Sequence, residues 1–376
     1  MIETALNIAF WGSLALLTYI FLLYPVAVYL LARWMPRVHG LGDELPYVSL
    51  CIPIYNEEAI LDEKITNALA LDYPADKLEI VFASDGSTDR SVEILRHCQN
   101  PRIRIFAFSV NRGKAAVLNE VVPQLRGEVV LLSDASGILD PSALRKVVRH
   151  FHDSRIGAVF GIYHIFKEGR TRMDSAESTY HGFEMQLRLW EGRFRTTLSG
   201  TGALCAFRKT EFEALPVGII NEDYVLPARI ALKGKRVIYE PQAHVWDRIS
   251  TSLPHVFRRR VRIAYGNWQQ LTYLRTLLDP RQGYLFWIFV SHKVLRMFLP
   301  LVLLVTLLSS TVLGPTVFNL LISGTAALLI LSVLGLLLDD WFQERNPLGF
   351  VALIFLNVLA VMVGSYRYLT QDAVRW

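Results

Sequence analysis

Three acidic stretches, each directly after apolar residues, give this chain the means to handle a phosphorylated substrate. Glu128-Val-Val-Leu-Leu runs into Ser133-Asp-Ala-Ser136, and Leu78-Glu-Ile-Val-Phe-Ala83 runs into Ser84-Asp-Gly-Ser-Thr-Asp89. Ile219-Ile runs into Asn221-Glu-Asp-Tyr224. Short apolar runs fit buried strands of a parallel sheet, and in open α/β sheets ligands bind beyond the carboxyl ends of such strands. Asp85 and Asp134 therefore fall on neighbouring strand ends. Two carboxylates there can hold a nucleotide and a hard cation whose remaining ligands come from phosphate. Each of these two aspartates alone fits equally well as a cap of the helix that follows; for Asp223 a helix cap is the lesser alternative. Lys114, in Asn111-Arg-Gly-Lys114, adds a cation able to reach a phosphate, with a glycine before it that lets the backbone come close. The turn Leu198-Ser-Gly-Thr-Gly-Ala203 is small enough for a bulky acceptor to lie against it.

These residues need a scaffold, and from Pro46 to about Pro280 the texture is that of βαβ units. Strands are expected at Tyr47–Ile52, Leu78–Ala83, Ile103–Phe108, Val129–Leu132, Ala158–Gly161 and Cys205–Arg208. Helices are expected over Glu57–Ala70 and Ser91–Cys98, from Lys114, from Asp140 as an acidic N-cap, and over Asp174–Trp190. His181 and Glu184 fall on the last of these, where a surface role fits better than contact with an acceptor. His150, His152, His244 and His255 have no ligand spacing and read as structural; Trp190 and Trp246 read as core or interface aromatics. No internal repeat is visible.

The chain has 376 residues, of which 52% are hydrophobic, with a mean hydropathy of +0.31. That is high for a soluble protein and low for one lying wholly in a membrane, so the excess must be local. Leu6–Leu31 is apolar without a charge and long enough to cross a bilayer. Arg33 and Arg37 follow it, placing the N-terminus outside and the rest inside. A signal peptide would need a basic leading region and a shorter apolar run. Gly283–Arg296 mixes aromatic residues with His292, Lys293 and Arg296, as in a helix lying in the headgroup layer or entering a span. Phe298–Leu313, Val317–Leu338 and Leu348–Val363 are three further candidate spans, the last two separated by Asp339, Asp340, Glu344 and Arg345. Cys51, Cys98 and Cys205 are too scattered for a disulfide framework or a zinc site, so a reducing compartment is the default. The net charge of +5 includes one dense run, Phe257-Arg-Arg-Arg-Val-Arg262, that suits anionic lipid or a diphosphate as well as it suits nucleic acid.

Taken in order, Ile52-Pro-Ile-Tyr-Asn-Glu57, Ser84–Asp89, Ser133–Ser136, Gly200-Thr-Gly202, Asn221-Glu-Asp223 and Arg259–Ile263 resemble the motif series of membrane-embedded family 2 glycosyltransferases. That group includes the cellulose, chitin, hyaluronan and poly-N-acetylglucosamine synthases. The resemblance implies an α/β GT-A fold, a Rossmann-like mixed sheet flanked by transmembrane helices. Residues 1–35 would be an N-terminal transmembrane helix, 36–282 a cytoplasmic catalytic domain, and 283–376 an interfacial helix with about three spans, in a multi-pass protein of the cell (inner) membrane. It also implies an inverting transfer of a hexose or N-acetylhexosamine from a nucleotide sugar, expected to be a UDP-sugar. The acceptor would be a growing polysaccharide or, alternatively, a lipid or lipid-linked sugar. A catalytically silent nucleotide-sensing scaffold is the alternative of another class. Nucleic acid is not an expected partner.

Residue by residue, the resemblance places Asp223 as general base with Glu222 beside it. Pro53, Tyr55, Glu57, Asp85, Lys114, Asp134, Arg259 and Arg262 would face the donor. Gly200, Thr201 and Gly202 would face the acceptor. Asp134 and Ser136 would carry Mg2+ or Mn2+, with Ser136 standing where the family has a second aspartate. Ile263 stands where processive members have a tryptophan that stacks under the acceptor sugar, and Trp268 is the candidate to replace it.

Overall fold

The computed structural model describes residues 1–165, 172–247, 253–337 and 347–371. Leu338, Asp339, Asp340, Glu344 and Arg345 lie outside the described residues. Strands β1 (Val48–Ile54), β2 (Leu78–Asp85), β3 (Ile103–Phe108) and β4 (Val129–Leu132) pair in parallel, with β1 between β2 and β4. Strands β5 (Gly137–Leu139), β6 (Ile156–Ile165), β7 (Cys205–Arg208) and β8 (Arg236–Asp247) complete one eight-stranded sheet in the order β3-β2-β1-β4-β7-β6-β8-β5. Strand β7 runs antiparallel to both β4 and β6, so the sheet turns from parallel to mixed beside β4.

In sequence, the helices are α1 (Ile2–Thr18), α2 (Tyr24–Trp34), α3 (Leu61–Leu69), α4 (Ser91–His97), α5 (Lys114–Val121), α6 (Ala143–Val148) and α7 (Arg172–Phe194). They continue with α8 (Glu222–Leu232), α9 (Leu253–Tyr273), α10 (Tyr284–Ile288), α11 (Leu295–Met297), α12 (Leu299–Ser309), α13 (Pro315–Leu337) and α14 (Pro347–Leu369). Successive residues of a strand point to opposite faces, and both faces of this sheet are covered. Val129 and Leu131 join Leu50 and Ile80 under α3 and α6, whereas Val130 and Leu132 join Cys51 and Val81 under α5 and α8. The second core continues into Ile288 and Phe289, so the sheet packs directly on the apolar C-terminal region.

Six strands stand where the apolar runs placed them. The two that were not expected, β5 and β8, pair with each other at the sheet's edge. Strand β8 carries Pro241 flanked by Glu240 and Gln242, a pattern that argues against a strand, and the ladder to β6 shifts register at that point. Helix α3 starts at Leu61 rather than Glu57. The segment before it is held as a loop, with Asn56 at φ +56 accepting from the Thr88 amide (2.8 Å) and Glu58 accepting from the Arg90 amide (2.9 Å). Helix α6 starts at Ala143, and Asp140 instead accepts from the Ser142 amide at 2.9 Å. Asp223 is inside the first turn of α8, whose N-cap is Asn221, so it is not a cap.

Among the described residues, two helices are long and apolar enough to cross a membrane, Ile2–Trp34 and Pro315–Leu334. The pair Tyr284–Met297 and Leu299–Leu313, bent by 63°, makes a third if it crosses as one, and Leu353–Leu369 is a shorter apolar helix. The bend separates the mixed aromatic and basic part from the uncharged apolar part, as the change in composition at Phe298 anticipates.

Gly86 combines a positive φ with backbone crowding. Its φ is +70, and a Cβ there would lie 2.5 Å from the Asn111 amide nitrogen and 2.6 Å from the Val110 carbonyl carbon. Gly86→Ala is expected to lower stability by roughly 1–3 kcal/mol, measurable as a drop in the thermal midpoint of the detergent-solubilised chain.

Candidate active site

The sheet's parallel half, α8, α9 and the apolar helices together enclose a cavity of about 1250 Å³. Asp85, Lys114, Asp134, Glu222 and Asp223 all line it. At the end of β2, the buried Asp85 accepts from the amides of Arg112 (2.9 Å) and Gly113 (2.7 Å), which fixes the start of α5. That start aims Lys114 across the cavity, where its Nζ lies 2.6 Å from Asp134 Oδ1 and 2.7 Å from Glu222 Oε1. Burial pulls the Lys114 pKa down, but the two carboxylates outweigh it and hold the ammonium above its usual range. Gly202 makes room for the pair, since a Cβ there would come within 2.8 Å of Lys114 Nζ and 3.3 Å of the Asp134 carboxylate. Gly200 and Thr201 line the same wall, and the Gly200 amide donates to the Asp223 carbonyl at 3.3 Å.

Asp223 differs from its neighbours. Burial raises its pKa, and the adjacent Glu222 charge adds to that; Lys114, Arg188 and Lys293 pull the other way, leaving it at about 6. Glu57 is pushed up to about 7 by burial and by the charges of Asp134, Asp247 and Asp89. Pro53 at the end of β1 and Tyr55 and Glu57 just beyond it form one wall, and Arg259, Arg262 and Ile263 present one side of α9 to the cavity. Helix α9 is anchored by Asn221, whose Nδ2 donates to the Ile263 carbonyl and to Asn267 Oδ1, both at 3.1 Å.

Trp268 is the site residue that the structure takes elsewhere. Five residues beyond Ile263 on an unbroken helix, it stacks on Tyr368 with ring centroids 6.0 Å apart and donates to Ser365 Oγ at 2.8 Å. It therefore serves the α9–α14 contact instead of standing in for the stacking tryptophan. Glu184 is likewise no surface residue. It is buried and accepts from His292 Nε2 at 2.9 Å and from Arg296. His181 and His255 line the cavity, whereas His150 is tied to His39 and Glu240, and His244 to His164. Trp190 packs edge-on to Tyr29, and Trp246 stacks on His164.

Sequence reasoning missed several cavity residues. Asp247, at the end of β8, accepts from the Tyr163 hydroxyl through Oδ2 at 3.0 Å while its Oδ1 has no partner among the described residues. Its signal was hidden in the strand that Pro241 disguised. Gln270 is fully buried with neither amide atom hydrogen-bonded among the described residues. Outside the cavity lining, Lys64 is fully buried and donates to Ser133 Oγ at 2.7 Å and to the Gly137 carbonyl.

Asp134 and Ser136 offer oxygen donors of the kind hard cations prefer, and the Asp134 side chain is 37% exposed to the cavity. Among the described residues no group of three ligating side chains exists, so phosphate and water would have to fill most of the coordination shell.

The whole chain superposes on a mannosyltransferase from Pyrobaculum calidifontis, solved in complex with GDP-Man and Mn2+, with a TM-score of 0.75 over 99% of both chains at 21% identity. The architecture is thus the GT-A fold, a mixed sheet with helices on both faces. Residues 49–214 match the family model Glycosyl transferase family 2, and the chain carries a domain of that family. The poly-beta-1,6-N-acetyl-D-glucosamine synthase of Staphylococcus aureus (strain COL) is 29% identical over 239 residues, covering 61% of this chain and 56% of the relative. The probable glycosyltransferase YdaM of Bacillus subtilis (strain 168) is 27% identical over 247 residues, 62% of this chain and 58% of the relative. The matched region is just over half the length of these relatives.

Burial lowers the Lys64 pKa to about 7, against a gain from Asp134 and Asp247. Between about pH 7 and the ordinary lysine value of 10.5 the unfolded chain therefore binds a proton that the folded chain lacks, and stability rises with pH through that window. Lys64→Met is expected to remove that slope, measured as the thermal midpoint between pH 7 and pH 9.5.

Proposed function

We propose that the chain is an inverting glycosyltransferase that moves a hexose or N-acetylhexosamine from a nucleotide sugar to a saccharide acceptor, with Asp223 as general base. The observation that carries this reading is the convergence of Asp85, Lys114, Asp134 and Asp223 from separate parts of the chain on one cavity. A base works best with a pKa near the working pH, and Asp223 at about 6 is ionised at neutrality yet still basic enough to accept a proton. Glu222 is committed to Lys114 at 2.7 Å and acts on the electrostatics of the site. The acceptor oxygen attacks the anomeric carbon as its proton passes to Asp223. The bond from that carbon to the diphosphate breaks, and the electron pair leaves with the nucleoside diphosphate. A covalent sugar–enzyme intermediate is not needed, so one base suffices.

Asp134 and Ser136 would hold a divalent cation, Mg2+ or Mn2+, which supplies positive charge to the departing diphosphate when bound. Lys114, Arg259 and Arg262 would stabilise the same charge, and Pro53, Tyr55, Glu57 and Asp85 would border the nucleotide. The Mn2+ and GDP-Man in the Pyrobaculum structure and the synthase title of the Staphylococcus relative support this reading. The basic flank of the first apolar helix, Arg33 and Arg37, favours a catalytic domain on the cytoplasmic side of the membrane.

Incubation of the full chain with labelled UDP- and GDP-sugars tests the reading. Asp223→Asn is expected to lower transfer by about 10²–10⁴-fold with nucleotide binding retained. Nucleotide binding with no transfer or donor hydrolysis by the wild type would instead favour the silent scaffold. For the wild type, kcat/KM is expected to fall about tenfold per pH unit below about 6, as Asp223 becomes protonated. Lys114→Met should move that midpoint to higher pH, because it removes a cation that holds Asp223 down. Chelation by EDTA should abolish transfer, and Mg2+ or Mn2+ should restore it.

A further inference from the structure

Asp247 is a charged cavity residue without a task in the reading above. It closes β8 with its side chain buried. The Tyr163 hydroxyl donates to Oδ2 at 3.0 Å, and Oδ1 has no partner among the described residues. A carboxylate oxygen withdrawn from water costs free energy unless a donor or a cation meets it. The two lysines on this side of the sheet are engaged elsewhere, Lys64 with Ser133 and the Gly137 carbonyl and Lys114 with Asp134 and Glu222.

Its place in the sheet says which cation it can meet. Strand β5 runs antiparallel to β8 and sets Gly137 directly opposite Asp247. Opposed residues of such a pair have Cα atoms about 4.5–5.5 Å apart. Gly137 also closes the turn that carries Asp134 and Ser136, its amide donating to the Asp134 carbonyl at 3.1 Å. All three side chains line the one cavity, and Glu57, Lys64 and Tyr163 each lie in the field of both Asp134 and Asp247.

The turn is also held in place. From α3, Lys64 pins Ser133 and Gly137 on either side of it, and Asn67 donates to the Leu139 carbonyl at 2.8 Å and accepts from the Leu139 amide at 3.0 Å. On the facing strand, the Tyr163 hydroxyl fixes one oxygen of Asp247 and leaves the other open, as partners of metal-binding carboxylates commonly do. Ser136 brings a hydroxyl without charge, and the affinity of a site for a hard divalent cation follows the number of charged oxygen ligands.

We propose that Asp247 is the second carboxylate of the divalent-cation site, its open Oδ1 giving from the neighbouring strand the negative charge that Ser136 lacks. This rests on the transferase reading above and adds a residue to its cation site. Asp247 and Asp134 then hold the cation from two strands, and Tyr163 is the positioning residue of the pair.

The test uses the full chain in detergent and reads free Mn2+ from its electron paramagnetic resonance signal, with UDP or GDP present, whichever raises the wild-type thermal midpoint. Asp247→Asn keeps an oxygen for the Tyr163 hydroxyl and is expected to weaken Mn2+ binding by about tenfold or more. Adding Ser136→Asp to that variant should return the affinity to within about threefold of wild type, because the lost charge is restored from the turn. In transfer assays the Mn2+ concentration for half activation should rise in Asp247→Asn by a similar factor, with kcat at saturating Mn2+ changed less. An affinity of Asp247→Asn within about threefold of wild type, or no recovery in the double variant, would overturn the proposal. Should Asp247→Asn fail to fold, Ser136→Asp alone decides. A gain in Mn2+ affinity below about threefold shows that a second carboxylate is already in place, and a larger gain shows that it was missing. Either negative result with a wild type that transfers sugar removes Asp247 from the cation site and leaves the transferase reading; a wild type that binds neither diphosphate and transfers nothing removes both.

Discussion

The ammonium of Lys114 lies within 2.7 Å of carboxylates from two different parts of the chain, Asp134 after β4 and Glu222 at the start of α8. Without that cation two negative groups would face each other in a partly desolvated cavity, where charge repulsion is much stronger than in water. Two features beside the cavity serve this contact. Asp85 clamps the amides that begin α5 and so aims the lysine. Gly202 leaves the space in which lysine and aspartate meet. Buried ion pairs contribute little net stability, so the contact is better understood as a device for position: it brings the end of the parallel half-sheet to the helix that carries Asp223.

A second polar contact joins this assembly to the apolar helices. Glu191, almost wholly buried near the end of α7, accepts from the Tyr24 hydroxyl at 2.6 Å and the Thr197 hydroxyl at 2.8 Å, and its Oε1 lies 2.6 Å from His292 Nδ1. The other nitrogen of His292 meets Glu184 on the same helix at 2.9 Å. Helix α7 is thereby pinned to the first apolar helix and to the segment around His292. A carboxylate buried in this way costs much unless every oxygen is engaged, and here both Glu191 oxygens are. The consequence is a fixed spacing between the sheet and the helices beside it. That spacing lets one cavity run from the β2 and β4 strand ends to aliphatic walls.

Some of this was legible residue by residue. The apolar runs ending in Asp85 and Asp134 announced two strand ends, the glycine before Lys114 announced a close backbone approach, and the apolar stretch before Arg33 announced a helix able to cross a bilayer. Local chemistry sufficed in each case, because strand burial, turn geometry and span length depend on neighbours in the chain. Other features misled for equally physical reasons. Pro241 made β8 look like a loop, since its cost to a ladder is absorbed by a register shift that depends on the partner strand. Glu184 looked solvated because its partners, His292 and Arg296, lie more than a hundred residues further along.

The amino-acid sequence by itself determined the strand ends, the acidic and basic groups set on them and the apolar helices on either side, because these follow from hydrophobic periodicity and backbone preferences over short windows. Only the tertiary structure decided which of those groups share one cavity. It turned Trp268 toward Tyr368 and brought Asp247, Gln270, Arg188 and Lys293 to the cavity wall. A side chain's direction on a helix, and the company it keeps across the fold, is set by packing between distant segments, and no short stretch of residues encodes that packing.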